Sequence, residues 1–363
     1  MKKVNIIGSG FSSLSAACHL AKRGFQVEVF EKNSSLGGRA RQFKQDGFTF
    51  DMGPSWYWMP DVFERFFEGF GKKVSDYYKL ERLDPGYQVV FGKDEVFPVY
   101  ASIEKIADCF EMEEKGSGRK LISFLNQAKR NYDVAIDDLV YKPGVSPLEL
   151  VTPVTVKNVG LFLTNVRKQV ERDFKSPKLR SLLQFPVLFL GAKPEQTPAF
   201  YNFMNYADFG LGTWHPKGGM IQIVSAMVSL AKELGVRFHI DAPVSEIVTK
   251  NKTANGIRVG DTIHESDIIV SGADYHHTER LLQASLRGYS ESYWKKKVFA
   301  PSSLLFYMGI DKKLKDLVHH NLFFDVDFDQ HASSIYDTPE WPKKPLFYVL
   351  SLIHISEPTR LRR

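Results

Sequence analysis

Residues 4–31, VNIIGSGFSSLSAACHLAKRGFQVEVFE, decide the fold predicted for this chain. They predict a strand over residues 4–7, a glycine turn, a helix, and a second strand over residues 27–30. Gly8 permits the tight turn out of the first strand, and Gly10, without a side chain, lets a ligand approach the backbone closely. Strand, helix and strand in this order predict the first βαβ unit of a Rossmann-like α/β fold.

The helix after Gly10 is expected to begin at an anion site. Its free N–H groups and positive dipole end point at the glycine turn, which suits a pyrophosphate. Glu31 ends the second strand, where a carboxylate can accept hydrogen bonds from ribose hydroxyls. Ser13 takes the third glycine position of the G-x-G-x-x-G pattern, and a small serine should fit there with a slight shift. The stretch therefore predicts a dinucleotide site rather than a glycine turn without a ligand.

A second glycine pair narrows the predicted cofactor to FAD. Gly37 and Gly38 let a loop pass close to the cofactor, and the planar guanidinium of Arg39 can hold pyrophosphate oxygens. The alternative role of Arg39 is a surface salt bridge. A bound flavin limits the chemistry largely to electron and hydride transfer. We expect the tight loop at residues 51–54 to lie near the flavin.

The composition is that of an ordinary globular protein with room for two domains. Of 363 residues, 43% are hydrophobic, 25% are charged and 13% are aromatic. The aromatic residues suit a core or an apolar substrate channel, and composition does not choose between them. The net charge of +6 permits contact with an anionic membrane surface. No nucleic-acid motif accompanies this charge, so we expect no nucleic-acid partner.

The cysteines and the N-terminal segment favour the cytoplasm. Cys18 lies in the first predicted helix, so we expect no structural disulfide with Cys109, the other cysteine, and we expect a reducing compartment. The first strand starts almost at once, which leaves no room for a signal peptide. No uncharged apolar stretch reaches the roughly 18 residues of a membrane span. We therefore expect a cytoplasmic protein that is peripheral to the inner face of the cell membrane.

The middle of the chain predicts a hairpin and several helices. Helical patterns cover residues 61–78, 103–109 and 120–132, and a hairpin is predicted over residues 87–99. Residues 134–191 mix proline, basic and apolar residues, which we interpret as a helical insertion that leaves the nucleotide-binding domain. The apolar positions of this insertion form either core or a membrane-dipping surface.

The chain is then expected to return to the first sheet. The predicted elements are a helix opening at Met220, strands over residues 236–240 and 244–249, hairpin turns at Asn255-Gly256 and Gly260-Asp261, and a short buried strand over residues 268–270. This order suits a second visit to the same sheet. Val244 would then lie near the adenine end of the cofactor.

Together these motifs resemble the bacterial-type carotenoid desaturases, which are phytoene desaturases of the FAD-dependent amine-oxidase-like superfamily. The stretches that carry the resemblance are the N-terminal fingerprint with Gly37-Gly38-Arg39 and residues 51–54, 185–191, 214–220, 270–274, 300–309 and 341–349. The first motif is shared by many FAD oxidoreductases, whereas the later ones are more specific to desaturases.

The resemblance implies a Rossmann-like FAD-binding domain with a discontinuous mixed α+β substrate domain and a helical insertion. It implies FAD as the sole tightly bound cofactor and a long apolar polyene as substrate, desaturated by hydride transfer to the flavin. Oxygen or a membrane quinone would be the electron acceptor. The positions that match the family's FAD contacts are Gly8, Gly10, Ser12, Ser13, Glu31, Gly38, Arg39, Gly53, Pro54 and Val244.

No catalytic base follows from the sequence. His215, His276, His277, His319 and His320 could each move a proton, but a surface or structural role is more common for a histidine. The neighbouring pair His319-His320 lacks accompanying metal ligands. We therefore predict no metal site.

We predict an FAD-binding domain over residues 1–85 and 215–290, and a substrate and membrane-associating domain over residues 86–214 and 291–349. Residues 350–363 continue no recognisable pattern, so we expect a non-native tail. Family members carry a further glycine-rich segment that completes the FAD domain in a third visit, and no such segment is found. We therefore expect the chain as written to bind FAD poorly or to aggregate.

Two alternatives remain open at this point. One is another FAD oxidoreductase of the superfamily, such as an amine oxidase, a carotenoid isomerase or a polyene saturase. The other is an inactive or non-catalytic flavin-binding remnant, which the unusual tail suggests. An apolar channel would favour a polyene enzyme, and a polar aromatic cage would favour an amine oxidase.

Overall fold

The computed structural model describes residues 1–298, 300, 302–312, 314–338 and 340–352. Within them the strands are β1 Lys3–Ile7, β2 Gln26–Phe30, β3 Arg41–Gln45, β4 Phe48–Met52, β5 Leu80–Arg82, β6 Tyr87–Gly92, β7 Glu95–Val99, β8 Trp214–Pro216, β9 Arg237–His239, β10 Val244–Lys250, β11 Thr253–Val259, β12 Thr262–Glu265, β13 Ile268–Ser271, β14 His320–Phe323 and β15 Phe347–Leu350. The α-helices are α1 Phe11–Lys22, α2 Pro60–Glu68, α3 Ile103–Glu113, α4 Ser117–Asp137, α5 Pro153–Lys157, α6 Val159–Leu163, α7 Val166–Asp173, α8 Pro177–Gln184, α9 Phe203–Asn205, α10 Ile221–Glu233, α11 Tyr275–Arg280, α12 Glu291–Lys295 and α13 Phe328–Tyr336.

The chain divides into two compact units, and each is assembled from separate stretches. Unit 1 comprises Met1–Ser55, Phe66–Leu80 and the described part of Pro216–Phe299. Unit 2 comprises Trp56–Arg65, Glu81–His215 and the described residues from Ala300 onward. The domain boundaries and roles expected from the sequence stay predictions.

Among the described residues, unit 1 is built on a four-stranded parallel sheet in the order β13-β1-β2-β9. β1 is an inner strand, and its Ile6 pairs with Val29 of β2 and with Val270 of β13. Ile6 and Val29 are fully buried, as expected for parallel strands that are covered on both faces. The N-terminal strands, the late return of the chain to their sheet and the Rossmann-like α/β fold are all confirmed.

Helix α1 packs its apolar face inside unit 1. Leu14, Ala17 and Cys18 are fully buried, at the helical spacing predicted for the core-facing side. The Cys18 thiol donates to the Met227 carbonyl of α10 at 3.8 Å, and burial raises its pKa to about 12. This cysteine is therefore a neutral packing residue rather than a reactive thiolate.

The turn predicted at Asn255-Gly256 is wrong. Both residues lie inside β11, and a Cβ on Gly256 would lie 3.0 Å from the carbonyl oxygen of His264 on β12. The glycine therefore serves close strand packing. The reversal between β10 and β11 is made instead by Asn251 and Lys252, whose φ angles are 52° and 63°.

The helix predicted over residues 61–78 is shorter in the structure. Helix α2 ends at Glu68, and Gly71, three residues later, adopts a φ of 73°. The Gly71 N–H donates to Glu68 O and the Lys72 N–H donates to Phe67 O, which is the hydrogen-bond pattern of a Schellman cap. The glycine thus stops the helix, although the apolar residues continue beyond it.

Unit 2 contains a mixed sheet in the order β15-β14-β6-β7 among its described strands. β6 and β7 form the predicted antiparallel hairpin, and β14 joins β6 in parallel. A large core of aromatic and aliphatic side chains packs around this sheet, and it includes Val89, Phe110 and Leu322. Of the expected non-native tail, Leu350 pairs with His320, and residues 353–363 lie outside the described residues.

The insertion expected over residues 134–191 is a series of short helices, α5 to α8, and 3-10 turns. Its later part is well packed, since Val166, Val170 and Leu182 are fully buried. Its earlier part exposes many apolar side chains to solvent. Among the described helices, none combines the length and the hydrophobicity that a membrane span requires.

Tyr87 and Asp208 form a buried pair in unit 2. The Tyr87 hydroxyl donates to Asp208 Oδ2 at 2.7 Å, and neither residue is more than 2% exposed. Asp208 lies in the π-helical turn Tyr206–Gly210. Burial raises the pKa of Asp208 to about 8, and the hydrogen bond from Tyr87 offsets only part of this effect. Asp208 is therefore mainly a neutral acid at neutral pH.

We predict that Asp208→Asn removes a pH dependence of folding. The pKa of this carboxyl rises from 3.8 to about 8 on folding, so between these values mainly the folded state keeps the proton. The stability that this group confers at low pH is therefore lost as the pH rises. The slope is about 1.4 kcal/mol per pH unit between roughly pH 5 and pH 7. Urea unfolding across this range measures the slope, which should be flatter in the variant.

Asp108→Asn is the matched control, because Asp108 is exposed on α3. This control should keep the wild-type slope. Parallel pH profiles for the wild type and Asp208→Asn would contradict the raised pKa.

Candidate functional site

The glycine turn closes the first strand of unit 1. Gly8 has a φ of 85°, in the left-handed region that favours glycine, and its N–H donates to Phe30 O at 2.8 Å. The turn therefore lies at the carboxyl end of β1 and β2. This is the edge at which open α/β sheets bind their ligands.

Helix α1 begins at this turn with an open N-terminus. It starts at Phe11, and no side chain of the described chain caps it. The first N–H groups of a helix have no partner within the helix. A Cβ built on Gly10 would meet no described atom within 4 Å, so there is open space over the backbone. Free N–H groups beside an open glycine fit the pyrophosphate of FAD.

The paired-glycine loop lies against the glycine turn. The Gly37 N–H is shared between Ser9 Oγ, at 3.0 Å, and Ser9 O, at 3.2 Å. Gly38 has a φ of 63°, and its Cβ would lie 3.1 Å from the Gly10 Cα. Arg39 is exposed and pairs with no carboxylate in the part of the chain that the structure describes. Its guanidinium therefore remains available to an anion.

Glu31 is engaged within the protein. Its Oε2 accepts hydrogen bonds from the Ser9 N–H at 3.0 Å and from the Ser9 hydroxyl at 2.6 Å. Its Oε1 accepts from the Asn33 N–H at 3.0 Å and from Asn33 Nδ2 at 2.5 Å. A carboxylate has about four acceptor positions, so a ribose would have to share or displace these bonds. The contact of Glu31 with ribose stays a prediction.

The loop at residues 51–54 is tied to the start of α10. Gly53 has a φ of 99°, and a Cβ on it would lie 2.1 Å from the Arg39 carbonyl oxygen. Asp51 Oδ2 accepts the Met220 N–H at 2.7 Å. The structure thus brings this loop, with the half-buried Pro54, together with the Gly-Gly-Arg loop and with residue 220. All of these residues belong to unit 1.

Val244 opens β10 and is half-buried. It packs against the cluster that contains Ile7 and Phe30, the last residues of β1 and β2. Val244 is therefore close to the ends of the two strands that carry the fingerprint. Its predicted place near the adenine stays a prediction.

Ser12 and Ser13 lie in the first turn of α1. Ser12 is exposed, whereas Ser13 is 1% exposed and its hydroxyl has no partner among the described residues. A Cβ on Gly272, just after β13, would lie 1.9 Å from Ser13 Oγ. The third glycine of the pattern normally leaves room for close packing. Here position 13 is a serine, and the room is left by Gly272 instead.

The candidate histidines fall into two groups. His215, His319 and His320 are buried together in unit 2, with ring centroids of His319 at 4.7 Å from His215 and 4.2 Å from His320. His276 and His277 lie in α11 of unit 1, where Asp274 caps the helix. The clustering of the first three was not predicted. No group of three or more His, Cys, Asp or Glu in the described ranges could hold a metal ion.

Unit 2 also contains an aromatic cluster that was not expected from the sequence. The Trp56 and His320 rings stack, with centroids 4.1 Å apart and planes 12° apart. Trp58 lies 5.3 Å from Trp56, and Tyr348 lies 5.7 Å from it. The signal in the sequence was the Trp56-Tyr57-Trp58 run, which follows the 51–54 loop after one residue, Ser55.

We predict that Gly272→Ala destabilises the protein by about 1 kcal/mol or more, because the new methyl group overpacks Ser13. Gly272 does not have a positive φ, so backbone strain is not the cause. The double variant Ser13→Gly with Gly272→Ala should be only slightly less stable than Ser13→Gly alone, because the serine that the new methyl group would overlap is absent. Urea unfolding of the wild type, both single variants and the double variant measures this coupling. Strictly additive effects would show that the two positions do not compete for space.

Comparison with known proteins identifies the family. The model of the flavin-containing amine oxidoreductases matches residues 11–296. The carotenoid 3,4-desaturase of Haloarcula japonica is 42% identical over 354 residues, which cover 95% of this chain and 71% of that protein. The zeta-carotene-forming phytoene desaturase of Myxococcus xanthus is 32% identical, with 96% of this chain and 68% of that protein covered.

Solved structures support the fold. An oxidoreductase from Methanosarcina mazei aligns with a TM-score of 0.52 at 20% identity, covering 81% of this chain and 64% of that one. A putrescine oxidase variant aligns with a TM-score of 0.52 at 18% identity, covering 77% of this chain and 59% of that one. The chain thus spans less than two thirds of the length of both structures, and the likeness shows the fold alone.

The family match and the intact dinucleotide fingerprint agree with the open helix terminus and glycine cradle of unit 1. The chain belongs to the flavin-containing amine oxidoreductases and, within them, to the carotenoid desaturases, which are FAD-dependent oxidoreductases.

Proposed function

We propose that this protein desaturates a long apolar polyene, a carotenoid precursor, in carotenoid biosynthesis. The observation that supports the substrate class best is the 42% identity to the Haloarcula japonica carotenoid 3,4-desaturase over 95% of the chain. When bound, FAD would supply the acceptor for the hydride lost from one carbon while the adjacent carbon loses a proton, so that a C–C single bond beside a conjugated double bond becomes a C=C bond. The protein's own residues bind and orient the reactants.

We infer that the cofactor lies along the fingerprint of unit 1. The free N–H groups at the start of α1 would bind the pyrophosphate over Gly10, and Arg39 would add a positive charge. Glu31 would meet the ribose, and Val244 would lie near the adenine. The full set of proposed FAD-binding residues is Gly8, Gly10, Ser12, Ser13, Glu31, Gly38, Arg39, Gly53, Pro54 and Val244.

We assign FAD binding to unit 1 and substrate binding to unit 2. Every proposed FAD contact lies within unit 1. Unit 2 also carries the partly buried rings of Trp56 and Trp58, 5.3 Å apart, which could contact a hydrocarbon. The electron acceptor that we infer is oxygen or a membrane quinone.

We further propose that unit 2 contacts a membrane surface, from which the protein would take up an apolar polyene. Eight apolar residues along residues 140–163 are 53–84% exposed. These residues, which we call the apolar patch, are Val140, Tyr141, Val145, Leu148, Val151, Val156, Val159 and Leu163. An exposed apolar surface of this kind is typical of an interaction site, and the net charge of +6 favours an anionic bilayer.

Expression in cells that accumulate phytoene, and separately 4,4'-diapophytoene, tests the proposed reaction. We expect a more conjugated product, detected by an absorption band at longer wavelength and by chromatography of the extracted pigments. If soluble, FAD-loaded protein forms no such product from either polyene, the polyene assignment is wrong. Oxidation of an amine by the same preparation would then favour an amine oxidase.

Gly10→Ala separates FAD binding from folding. The structure leaves space for the new methyl group, and Gly10 has a φ of -69°, so the fold should tolerate alanine. The methyl group would occupy the space that the pyrophosphate needs. We expect at least a tenfold rise in the Kd for FAD, loss of product, and an unchanged melting temperature of the apoprotein.

Gly160→Ala is the matched control, because Gly160 also has open space around its Cβ position and no positive φ. It should bind FAD as the wild type does. Equal FAD affinity of the wild type and Gly10→Ala would place the pyrophosphate elsewhere. The Kd of the wild type itself tests the expectation that this chain binds FAD poorly.

Sedimentation with anionic phospholipid vesicles tests the membrane contact. We expect the wild type to bind, and Leu148→Glu with Leu163→Glu to lose at least tenfold in affinity because charges replace two exposed apolar residues. Met112→Glu is the control, since Met112 is an 81% exposed apolar residue on α3, outside the patch. A wild type that stays in the supernatant would contradict the proposal.

A further inference from the structure

Unit 2 carries three neighbouring aromatic rings that are not fully buried. Centroid distances are 5.3 Å for Trp56–Trp58, 5.8 Å for Trp56–Phe189 and 5.0 Å for Trp58–Phe189. Phe189 is 48% exposed, and both tryptophans are half-buried. We call these three residues the aromatic platform.

The aromatic platform rests on a buried layer. Phe185 is 7% exposed, and its ring centroid lies 5.9 Å from Trp56 and 5.1 Å from Phe189. Tyr87 is fully buried and meets Trp56 edge-on at 5.3 Å. Packing from below fixes the rings before any ligand arrives. A preformed surface loses less conformational entropy on binding than a mobile one.

The aromatic platform presents little that a polar ligand could use. The indole N–H of Trp58 already donates to Thr213 Oγ1 at 2.9 Å. Within the described residues, no lysine or arginine lies over any of the three rings. The three rings therefore present aromatic faces with no cation above them, which suits an uncharged conjugated chain.

His320 supports Trp56 from one side. The stacked His320 ring is fully buried, and its Nδ1 lies 2.6 Å from the Tyr348 hydroxyl. Burial holds the pKa of His320 well below its ordinary value, and the nearby His319 and His215 lower it further. The ring is therefore neutral at pH 7. It can stack on Trp56 without placing a charge beneath the apolar surface.

We propose that the aromatic platform binds the conjugated segment of the polyene substrate, and that His320 is a positioning residue that fixes the Trp56 ring. This inference rests on the proposed function and names its substrate contacts. Flat aromatic faces stack on a planar conjugated chain better than on a flexible saturated one. Only Ser55 separates Trp56 from Pro54, a proposed FAD contact.

Binding of zeta-carotene in detergent micelles tests the platform without any need for turnover. The circular dichroism induced in the absorption band of the carotenoid reports binding in an ordered, chiral site. We expect Trp56→Leu to raise the Kd at least tenfold and also to lower the melting temperature, because the indole packs on Tyr87, Phe185 and His320. Phe189→Ala, at the most exposed ring, should raise the Kd by a similar factor while the melting temperature changes little. Trp341→Leu is the control, since Trp341 is 69% exposed outside the platform.

Two variants test His320 as a positioning residue. His320→Ala should weaken binding and reduce the induced circular dichroism, because the Trp56 ring loses its stacked partner. His320→Phe keeps a flat, uncharged ring and should restore both signals. If His320→Ala changes stability but neither the Kd nor the shape of the induced band, His320 is merely structural.

Competition and sizing decide between the platform's possible occupants. Displacement of zeta-carotene by palmitate at equal concentration would show that any apolar chain binds, and displacement by putrescine would show an amine site. A dimer that Trp56→Leu dissociates would show that a second copy of the chain covers the surface. Each of these results, or an unchanged Kd in Trp56→Leu and Phe189→Ala, would overturn the inference.

Different results would contradict the binding of polyene at the platform and the proposed desaturation reaction. If cells form a more conjugated pigment but the platform variants bind and turn over polyene as the wild type does, the platform assignment is wrong and the function stands. If zeta-carotene binds at the platform but no polyene is desaturated, the function is wrong and the binding surface stands.

Discussion

The parallel pairing of β1 with β2 on one side and β13 on the other is the constraint on which unit 1 depends. It brings the turn at Gly8 and the turn after β13 to the same edge of the sheet. Gly272 then lies against Ser13 closely enough that even a methyl group would clash. The position of α1, and with it the open helix terminus that suits a pyrophosphate, follows from this contact.

The local features of the nucleotide-binding unit could be predicted from the sequence. The strands at residues 4–7 and 27–30 are short apolar runs, and α1 repeats apolar residues at helical spacing. Each of these signals lies within a few neighbouring residues. The Gly-Gly-Arg loop could also be predicted, because glycine readily adopts backbone conformations that other residues rarely adopt.

The wrong and missing predictions concern residues whose structure is decided by contacts with distant parts of the chain and not by local preference. Asn255-Gly256 is a strong turn signal alone, but pairing of β11 with β12 places Gly256 in a strand. The aromatic platform joins residues 56, 58 and 189, and the stacked His320 joins it from a strand much later in the chain. Nothing within the His319-His320 pair distinguishes a buried, neutral ring from a surface one, because burial is decided by partners elsewhere in the sequence.

The order of the strands along the chain has a consequence for synthesis. β1 and β2 emerge from the ribosome early, but β13 emerges only after residues 81–215 of unit 2 have been made. At about 5–20 residues per second, the β13 edge of β1 stays unpaired for roughly ten seconds to a minute. An unpaired strand edge can template association with other nascent chains. Slow translation of the inserted segment would lengthen this exposure, so the interleaved arrangement links elongation rate and chaperone occupancy to the yield of folded protein.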